Sequence, residues 1–349
     1  MIERHLHDAA RDVAVLICTE AGRLERQSVL MCETLRRRGG RFADVPVYSF
    51  QPRPGPALEG KTRERFADLG VVHIEAPLNV CLPAYGFANK AHAATFAEEF
   101  LDHDVFVVMD SDMLVLSEPA EFNLPSGVDL AIRPEPFKVA GTTDDDENAE
   151  MWDAFERHAG VSGPRRYVET VVSQERIRAY YNSGLIVARR SLGLMRQWHD
   201  LTESLAKSGI IPGDNRSIFT EQYGLAMAIA RIGVEPSILP PTYNYGLPWH
   251  DQLPEGVRAA SLGDVVIAHY FHMFDLPGRS NPLGRVPGLT LTPADAEIDE
   301  LIRETGVTPD PLAAPLRSAR LLGRERAVQL AKRLGVRRRY GAMLDNDRR

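Results

Sequence analysis

Short runs of aliphatic and β-branched residues alternate with helix-like segments through the first 110 residues, and this order constrains the fold more than any other feature. Short apolar runs of this kind are typical of buried parallel strands. Here they occupy 12–18, 45–50, 71–75 and 104–109. Helical spacing of apolar residues occupies 22–38, 59–69 and 87–101. The resulting β-α-β-α-β-α-β order predicts an α/β fold, with a mainly parallel sheet and helices on both faces.

The pattern is less regular in the remainder of the chain. Apolar runs predict further strands at 128–133, 185–188, 237–239 and 265–271. Helical spacing predicts helices at 191–207, 220–232 and 293–304. The segment 141–150 reads GTTDDDENAE, which is acidic and polar. It suits either a solvated loop, which we favour, or a lid that orders when a ligand binds.

The chain has 349 residues and a formal net charge of −7, which argues against a nucleic-acid-binding protein. The charge is uneven, because residues 311–349 carry 11 Lys and Arg against 3 Asp and Glu, whereas the rest carries 30 basic and 45 acidic residues. Three cysteines without metal-type spacing favour a reducing, cytoplasmic location. No apolar run approaches the roughly 18 residues of a membrane span, and residues 1–12 lack the apolar core of a signal peptide.

Two carboxylates separated by one residue follow the predicted strand at 104–109, in the sequence Asp110-Ser111-Asp112. Side chains at the carboxyl end of a parallel strand project into the crevice where α/β sheets bind ligands. Two acids this close repel each other unless a cation lies between them. Their oxygens suit Mg²⁺ or Mn²⁺, usually shared with phosphate groups. The alternative interpretation is an ordinary polar turn after a buried strand.

Two later strands are also flanked by polar side chains. Asn182-Ser183-Gly184 precedes the run 185–188, where amide and hydroxyl groups can bind a ligand and glycine permits close approach to the backbone. A tight turn is the alternative. The last apolar run contains His269, with His272 three residues further on. Neutral imidazole is a good ligand for Mn²⁺, although an isolated histidine is more often structural.

Two helix starts add candidates. Thr220 can cap the helix 220–232, with Glu221 and Gln222 in its first turn. Asn89 and Lys90 lie near the start of the helix 87–101, where a lysine can meet a phosphate. Capping and a solvated lysine are adequate structural explanations for these residues. The order of all the motifs along the chain indicates a function more strongly than any one of them.

Taken in order, strand-Asp-x-Asp, Tyr-x-Asn-Ser-Gly, Glu-Gln, Leu-Pro-Pro-Thr-Tyr-Asn and Ile-Ala-His make the chain resemble the GT-A glycosyltransferases. It is most similar to the retaining family 8-like group, which includes bacterial galactosyltransferases and glycogenin. The resemblance covers roughly 12–275. It implies a single GT-A-like, Rossmann-like catalytic domain over 1–290, with 12–115 as the nucleotide-binding half and 116–290 as the acceptor-side half. Residues 291–349 are then a helical, basic C-terminal extension.

The resemblance also implies a role for each motif. In that family the first strand and the following loop hold the nucleotide, which points to Thr19 and Glu20. Mn²⁺ or Mg²⁺ binding is implied for Asp110, Asp112 and His269. Catalysis is implied for Glu221, Gln222 and Asn182. Binding of the nucleotide-diphosphate sugar is further implied for Asn89, Lys90, Asp110, Ser111, Asp112, Asn182, Ser183 and Gly184.

The implied reaction moves a sugar from a nucleotide-diphosphate sugar, with UDP favoured, to an acceptor hydroxyl, with retention of anomeric configuration. The acceptor can be a glycan, a small molecule or a lipid-linked molecule. An inverting reaction would instead need a carboxylate base near the acceptor, and Glu135, Asp153 and Glu169 are available.

Departures from the family pattern leave alternatives open. The family often follows its late histidine with Gly and then Lys-Pro-Trp, whereas this chain has His269-Tyr-Phe-His272 and, later, Arg279. Arg279 is the candidate substitute for the lysine, and His272 is an alternative metal ligand. The alternatives in function are a sugar-phosphate nucleotidyltransferase and a nucleotide-sugar-binding protein with a degenerate site. An acidic loop with one glycine after the first strand disfavours the nucleotidyltransferase.

The basic residues 316–349 lie outside the resemblance. Their leucines and arginines are spaced as in a basic amphipathic helix, which can lie on an anionic membrane surface. The interpretation we favour is packing against the acidic body, in the same chain or in a neighbouring one.

Overall fold

Strands and helices alternate in the first part of the chain and become more mixed in the second. The computed structural model describes residues 12–275, 283–286, 288–293 and 295–307. Among these residues, no helix is both long enough and apolar enough to cross a bilayer. The helices are α1 (Arg23–Arg38), α2 (Gly60–Asp68), α3 (Asn89–Phe100), α4 (Ala149–Ala159), α5 (Leu194–Lys207), α6 (Thr220–Ile232) and α7 (Asp295–Glu304). The strands are β1 (Val13–Cys18), β2 (Val47–Gln51), β3 (Val71–Glu75), β4 (Val105–Met109), β5 (Met113–Val115), β6 (Leu130–Pro134), β7 (Tyr167–Glu169), β8 (Arg176–Arg178), β9 (Tyr181–Arg189), β10 (Ser237–Ile238), β11 (Tyr245–Gly246) and β12 (Ile267–His269).

The central sheet has seven strands in the order β10-β6-β9-β4-β1-β2-β3. β1 pairs in parallel with β2 and β4, β2 with β3, and β10 with β6. Only β9 runs antiparallel to its neighbours in this sheet, β4 and β6. A mostly parallel sheet flanked by helices confirms the predicted α/β fold class. The predicted helical tail beyond residue 307 lies outside the described residues.

Both faces of the sheet are covered, which explains why β1 is apolar at every position rather than at alternate ones. Ala14 and Leu16 join a core that also contains residues of α3, α4, α5 and α6. Val13, Val15 and Ile17 point the other way and join a core with α1 and α2. The end of β1 is therefore fixed between two helical layers.

A second sheet, with the order β11-β12-β5, adds the end of the chain to this framework. β12 is antiparallel to β5, and the register pairs Met113 with His269. The Tyr270 N–H donates to the Asp112 carbonyl at 3.1 Å. Helix α7 packs on this sheet, since Leu301 and Leu114 belong to the same buried cluster. The pairing brings a late histidine next to the Asp-x-Asp segment.

Several elements differ from their predicted form. Residues 182–184 lie inside β9 rather than in a turn before it, because Tyr181 already pairs with Pro134 of β6. The run 265–271 contributes only the strand Ile267–His269. Helix α4, strand β5 and the β7–β8 hairpin have no counterpart in the predictions, because each is short or begins in polar sequence.

The acidic segment 141–150 is folded against the domain. Asp146 accepts hydrogen bonds from Thr142 Oγ1 at 2.8 Å and from the Thr143 N–H at 2.9 Å. Asp144 accepts from Arg178 Nε at 2.5 Å. The interpretation of this segment as a solvated loop is therefore wrong for these two acids, because Asp146 is bonded within the segment and Asp144 is bonded to Arg178 on β8.

Candidate active site

Polar side chains converge where β4 ends and β9 begins. Because β9 runs antiparallel to β4, the start of β9 lies beside the end of β4. The Asp110 N–H donates to the Gly184 carbonyl at 2.8 Å. This hydrogen bond joins the Asp-x-Asp segment to the Asn-Ser-Gly segment at the carboxyl edge of the parallel strands, where ligands of α/β sheets bind.

Asp110, Asp112 and His269 form a group whose ligand atoms lie within 4.8 Å of one another. His269 Nε2 is 3.1 Å from Asp112 Oδ1. Burial alone would raise the pKa of Asp112, but the charge and hydrogen bond of His269 lower it below its usual value. His272 is placed differently, with its Nδ1 2.9 Å from Arg23 Nη1. Among the described residues, His269 rather than His272 completes the group with the two acids.

A chain of amide hydrogen bonds orients His269. Asn182 Nδ2 donates to Glu135 Oε1 at 2.9 Å, and Asn244 Nδ2 donates to Asn182 Oδ1 at 2.8 Å. Asn244 Oδ1 is then the atom 2.9 Å from His269 Nδ1. Since an amide oxygen only accepts, Nδ1 carries the hydrogen and Nε2 faces Asp112. A carboxylate and an imidazole lone pair need a proton or a cation between them, and this arrangement is typical of a metal-binding histidine.

Lys90 is buried in the first turn of α3 and is surrounded by acceptors. Its Nζ is 2.8 Å from Ser183 Oγ, 3.0 Å from Asp110 Oδ1 and 3.6 Å from Glu221 Oε1. Burial lowers the pKa of Lys90, but the two carboxylates more than offset this and hold the pKa above its usual value. The interpretation of Lys90 as a solvated lysine is therefore wrong. Its positive charge is paired with the carboxylates of Asp110 and Glu221.

The side chains of Glu221 and Gln222, in the first turn of α6, have different hydrogen-bond partners. Glu221 Oε1 accepts from Ser183 Oγ at 2.8 Å, while its Oε2 is buried without a hydrogen-bond partner among the described residues. Burial raises the pKa of Glu221. Gln222 Nε2 donates to Glu135 Oε1 at 2.6 Å, and Gln222 Oε1 accepts from Tyr180 at 2.7 Å. Burial also raises the pKa of Glu135, to about 7.

Gly184 sits where these groups meet. A Cβ added to it would lie 2.8 Å from Asn182 Oδ1, 3.0 Å from His269 Cε1 and 3.1 Å from Asp110 Oδ2. Any side chain would push against the histidine and an acid of the proposed metal group. The close approach explains why this position is glycine.

The loop after β1 forms a second polar group. Glu20 Oε1 accepts from Asn89 Nδ2 at 2.9 Å and from Arg53 Nε at 2.7 Å. The Thr19 side chain is fully buried, where its hydroxyl donates to Ser28 and accepts from Ser49, both at 2.7 Å. The Thr19 N–H also donates to the Phe50 carbonyl at 2.8 Å, so Thr19 is enclosed and is not placed to meet a ligand, whereas Glu20 and Asn89 are hydrogen-bonded to each other.

The remaining predicted residues are less central. Ser111 is buried, with its hydroxyl 3.3 Å from the side-chain amide of Gln27. Arg279 lies outside the described residues. Of the three candidate bases, Glu135 is in this site, whereas Asp153 is 2.8 Å from Arg178 and Glu169 is exposed on β7.

Two arginines near the site were not among the residues predicted from the sequence. Arg53 follows β2 and reaches Glu20, and its Nη1 also donates to the Pro83 carbonyl at 2.9 Å. Arg23 opens α1, and its charge contributes to the lowered pKa of Asp112, after burial and the larger effects of His269. Both follow strands of the parallel sheet, so a search of strand ends for cations as well as acids would have found them.

Comparisons with known proteins give one family to which the chain belongs. A model of the Rhodobacterales glycosyltransferase domain matches residues 15–233, more than half of the chain. A comparison with curated proteins gives no match. Among solved structures, the chain is similar to WbbM, a bifunctional glycosyltransferase, with 14% identity, a TM-score of 0.47 and 83% of this chain covered. The match spans 52%, about half, of the WbbM chain. By the family match, the chain belongs to the Rhodobacterales glycosyltransferase domain family.

Proposed function

We propose that the protein transfers a sugar from a nucleotide-diphosphate sugar to an acceptor hydroxyl with the help of a divalent cation. The observation that carries the proposal is the group of Asp110, Asp112 and His269 beside the buried Lys90. Family membership supports transfer of a sugar over nucleotidyl transfer. The resemblance to GT-A enzymes of the family 8-like group supports retention of configuration and a UDP-sugar as donor.

The donor set fits the proposed cation. Two carboxylates and one imidazole suit Mn²⁺ or Mg²⁺, and His269 Nδ1 is committed to Asn244, so that Nε2 is available. When bound, the ion supplies Lewis-acid stabilisation of the negative charge on the departing diphosphate. Lys90 holds Asp110 through its 3.0 Å contact and balances the charge of the acids when no phosphate is present.

Other side chains would hold the sugar. Asn182 and Gln222 both donate to Glu135 Oε1, which fixes the orientation of their amides. Glu221 lies behind Ser183, so its negative charge acts on the sugar through that hydroxyl and through Lys90 rather than by direct attack. We therefore assign Glu221 a positioning and electrostatic role, with Gln222 and Asn182 closer to the sugar.

The nucleotide would lie along the loop after β1. Glu20, Asn89 and Arg53 form one hydrogen-bonded group there. Arg23, near the acids, is a described cation that can meet the diphosphate in the role otherwise given to Arg279. The domain division at residue 290 and the two functional halves are part of the same proposal.

Retaining and inverting reactions require different roles of Glu135. A retaining reaction uses the departing phosphate to take the acceptor proton, and Glu135 then serves only to hold the two amides. An inverting reaction needs Glu135 as the base, a role for which a pKa near 7 is suitable. Proton NMR of the product gives its anomeric configuration. We expect retention, and an inverted product would transfer the role of base to Glu135.

The acceptor is a hydroxyl-bearing glycan, small molecule or lipid-linked molecule. A cleft beside Asn182 and Asn244 is lined by Trp249 and Phe271, whose ring centroids are 4.4 Å apart. This cavity has a volume of about 20 Å³, which suits a water molecule, so a sugar ring would enter only if these side chains moved. The basic residues 316–349 are proposed to pair with the acidic body, with adsorption to an anionic membrane as the alternative.

The test is nucleotide-sugar turnover with Mn²⁺ by Asp112→Asn and His269→Ala. Both substitutions remove a proposed ligand, and we expect transfer and hydrolysis to fall by at least a hundredfold, with the residual rate independent of Mn²⁺. Asp102→Asn is the matched control, because Asp102 is an exposed acid paired with Arg190 at 3.2 Å. Near-normal turnover by both site variants would remove the metal assignment.

The donor is identified by thermal shift with a panel of nucleotide sugars, each with and without Mn²⁺. A ligand that binds only the folded state raises the midpoint, and we expect the shift to require Mn²⁺ and a UDP-sugar. Release of pyrophosphate from nucleotide triphosphate and sugar phosphate would instead indicate a nucleotidyltransferase. Binding without turnover across acceptors would indicate a degenerate site.

A further inference from the structure

Two imidazoles and a carboxylate converge between α3 and α5, apart from the proposed active-site residues. His92 belongs to α3, His199 and Glu203 belong to α5, and their ligand atoms lie within 4.8 Å of one another. His199 Nε2 is 3.4 Å and His92 Nε2 is 3.8 Å from the same atom, Glu203 Oε1. We propose that these three residues form a second metal site, which binds Zn²⁺ and joins the two helices.

The state of His92 points to a bound ion. The residue is 5% exposed, and its Nε2 has no hydrogen-bond partner among the described residues. Buried ring nitrogens are almost always satisfied. The 3.8 Å separation from Glu203 is too long for a hydrogen bond, but it leaves room for an ion between the nitrogen and the oxygen.

The second histidine is oriented as a ligand. His199 Nδ1 is 3.0 Å from Asp200 Oδ1, and a carboxylate can only accept, so Nδ1 carries the hydrogen. The lone pair of Nε2 then faces Glu203 Oε1. A carboxylate that fixes the other nitrogen of a histidine is the usual outer support of a protein metal ligand.

The donor types and spacings favour zinc. With metal–ligand distances near 2.0–2.2 Å, ligand atoms of a tetrahedral site are about 3.3–3.5 Å apart. The separations of 3.4 Å and 3.8 Å therefore need only a small adjustment of His92. Two imidazoles and one carboxylate leave a fourth position open, and the exposed Cys81 thiol lies close enough to Glu203 to help lower the pKa of that acid. Nitrogen and sulfur neighbours disfavour Mg²⁺ and Ca²⁺.

The ammonium group of Lys207 competes only weakly with a zinc ion for Glu203. Lys207 Nζ is 2.9 Å from Glu203 Oε2, but the lysine side chain is 56% exposed, and exposed pairs of this kind contribute little. The pair also uses Oε2, which leaves Oε1 to the two histidines.

The position of the cluster gives the ion a structural role. Helix α3 begins with Asn89 and Lys90 of the proposed donor site, and the indole of Trp198 on α5 donates to the Glu221 carbonyl at 2.8 Å. An ion held by both helices would tie these two sides of the active site together. The three zinc ligands are distinct from the proposed active-site residues, so a zinc site here does not depend on the proposed reaction.

The experiment measures Zn²⁺ bound to the full chain after removal of metals with a chelator. Asp112→Asn is used as the background, so that the Asp110 group does not contribute. We expect one Zn²⁺ per chain, and an affinity at least tenfold weaker when His199→Gln or Glu203→Gln is added. Both side chains are partly exposed, so these variants test the site without disturbing a buried position.

The controls distinguish a defined zinc site from nonspecific binding of zinc to histidine side chains. His158→Gln removes an exposed imidazole that contacts Ser204, the neighbour of Glu203, and should leave zinc binding unchanged. Co²⁺ in place of Zn²⁺ should give the visible absorption of a tetrahedral site, which His199→Gln should abolish. Circular dichroism checks that each variant is folded. Failure of the folded background variant to take up zinc, or uptake unaffected by both His199→Gln and Glu203→Gln, would overturn the proposal.

Discussion

Asn244 decides which nitrogen of His269 faces the two acids. Its amide oxygen is 2.9 Å from His269 Nδ1, and its amide nitrogen donates to Asn182. The residue has a φ of +48°, a left-handed conformation that asparagine tolerates better than most residues. The backbone conformation and the side chain of Asn244 therefore both help to hold His269 beside Asp110 and Asp112.

We expect Asn244→Gly to weaken Mn²⁺ binding by about 10- to 100-fold, because the histidine loses the acceptor that fixes its ring. Glycine suits the positive φ, so the fold should be kept. Asn244→Asp retains an oxygen for Nδ1 and should recover much of the affinity. Titration calorimetry with Mn²⁺ measures both. Equal affinity in wild type and Asn244→Gly would contradict the role.

Glu135 gives a prediction about pH. Burial raises its folded-state pKa to about 7, although hydrogen bonds from Asn182 and Gln222 and the charge of Lys90 act in the opposite direction, while Glu221 adds to the rise. Between its unfolded pKa, about 4.3, and pH 7 the folded state binds more protons, so stability falls as the pH rises through this window. The loss amounts to at most about 3–4 kcal/mol.

Glu135→Gln should remove this part of the pH dependence. Denaturant unfolding at pH 5 and pH 8 measures it, with the exposed Glu169→Gln as control. The wild type and the control should lose more stability between the two values than Glu135→Gln does. The same loss in all three proteins would show that Glu135 is not the titrating group.

Among single residues, the acids, the Asn-Ser-Gly and His269 could be singled out from the sequence, because each lies beside or within an apolar run that predicts a strand. It could not predict that Lys90 is buried, since the acceptors around it come from β9 and α6. Nor could it predict the pairing of Arg53 with Glu20, which joins the ends of two adjacent strands.

Helices α5 and α6 touch at a glycine. A Cβ on Gly224 would lie 2.9 Å from both the Cα and the N of Thr202 on α5. Alanine is the better helix former by about 1 kcal/mol, so a glycine in the middle of α6 reflects packing rather than propensity. The contact holds the helix that starts with Glu221 and Gln222 close to its neighbour.

We expect Gly224→Ala to destabilise the protein by about 1–3 kcal/mol, because the helices must move apart. Gly60→Ala is the matched control, since Gly60 also lies in a helix and a Cβ there meets nothing within 4 Å. That control should be neutral or slightly stabilising. Thermal unfolding of both variants measures the difference, and a stable Gly224→Ala would mean that the interface has room.

Elements that depend on local pattern were predicted well, and elements that depend on distant partners were not. β3 was predicted at the residues where it occurs, because its apolar run has clear ends. β5 has three residues and becomes a strand only through its pairing with β12. α4 begins directly after an acidic stretch, and those acidic residues obscured the helical spacing of its apolar residues in the sequence.

The molecule as a whole combines an acidic body with a basic end. Residues 311–349 have a net charge of +8 and the remainder −15. Opposite charges of this size attract over roughly a Debye length, about 8–10 Å at physiological salt. The proposed pairing of residues 316–349 with the body follows from this imbalance.

Deletion of 316–349 should lower the thermal midpoint at low salt, and the difference should shrink at high salt because screening weakens the pairing. Co-sedimentation with anionic liposomes should be the same for the full and the shortened chain. Liposome binding that requires residues 316–349 would contradict the pairing and favour the membrane alternative.

The register between β5 and β12 has a consequence for the order in which the protein becomes active during synthesis. The acid and the histidine that this pairing brings together are 157 positions apart. A ribosome that has released residues 12–115 has therefore made both carboxylates of the proposed metal group but not the imidazole. The nascent chain cannot assemble the complete set of proposed ligands until residue 269 has emerged, so a chain terminated before it would lack the set.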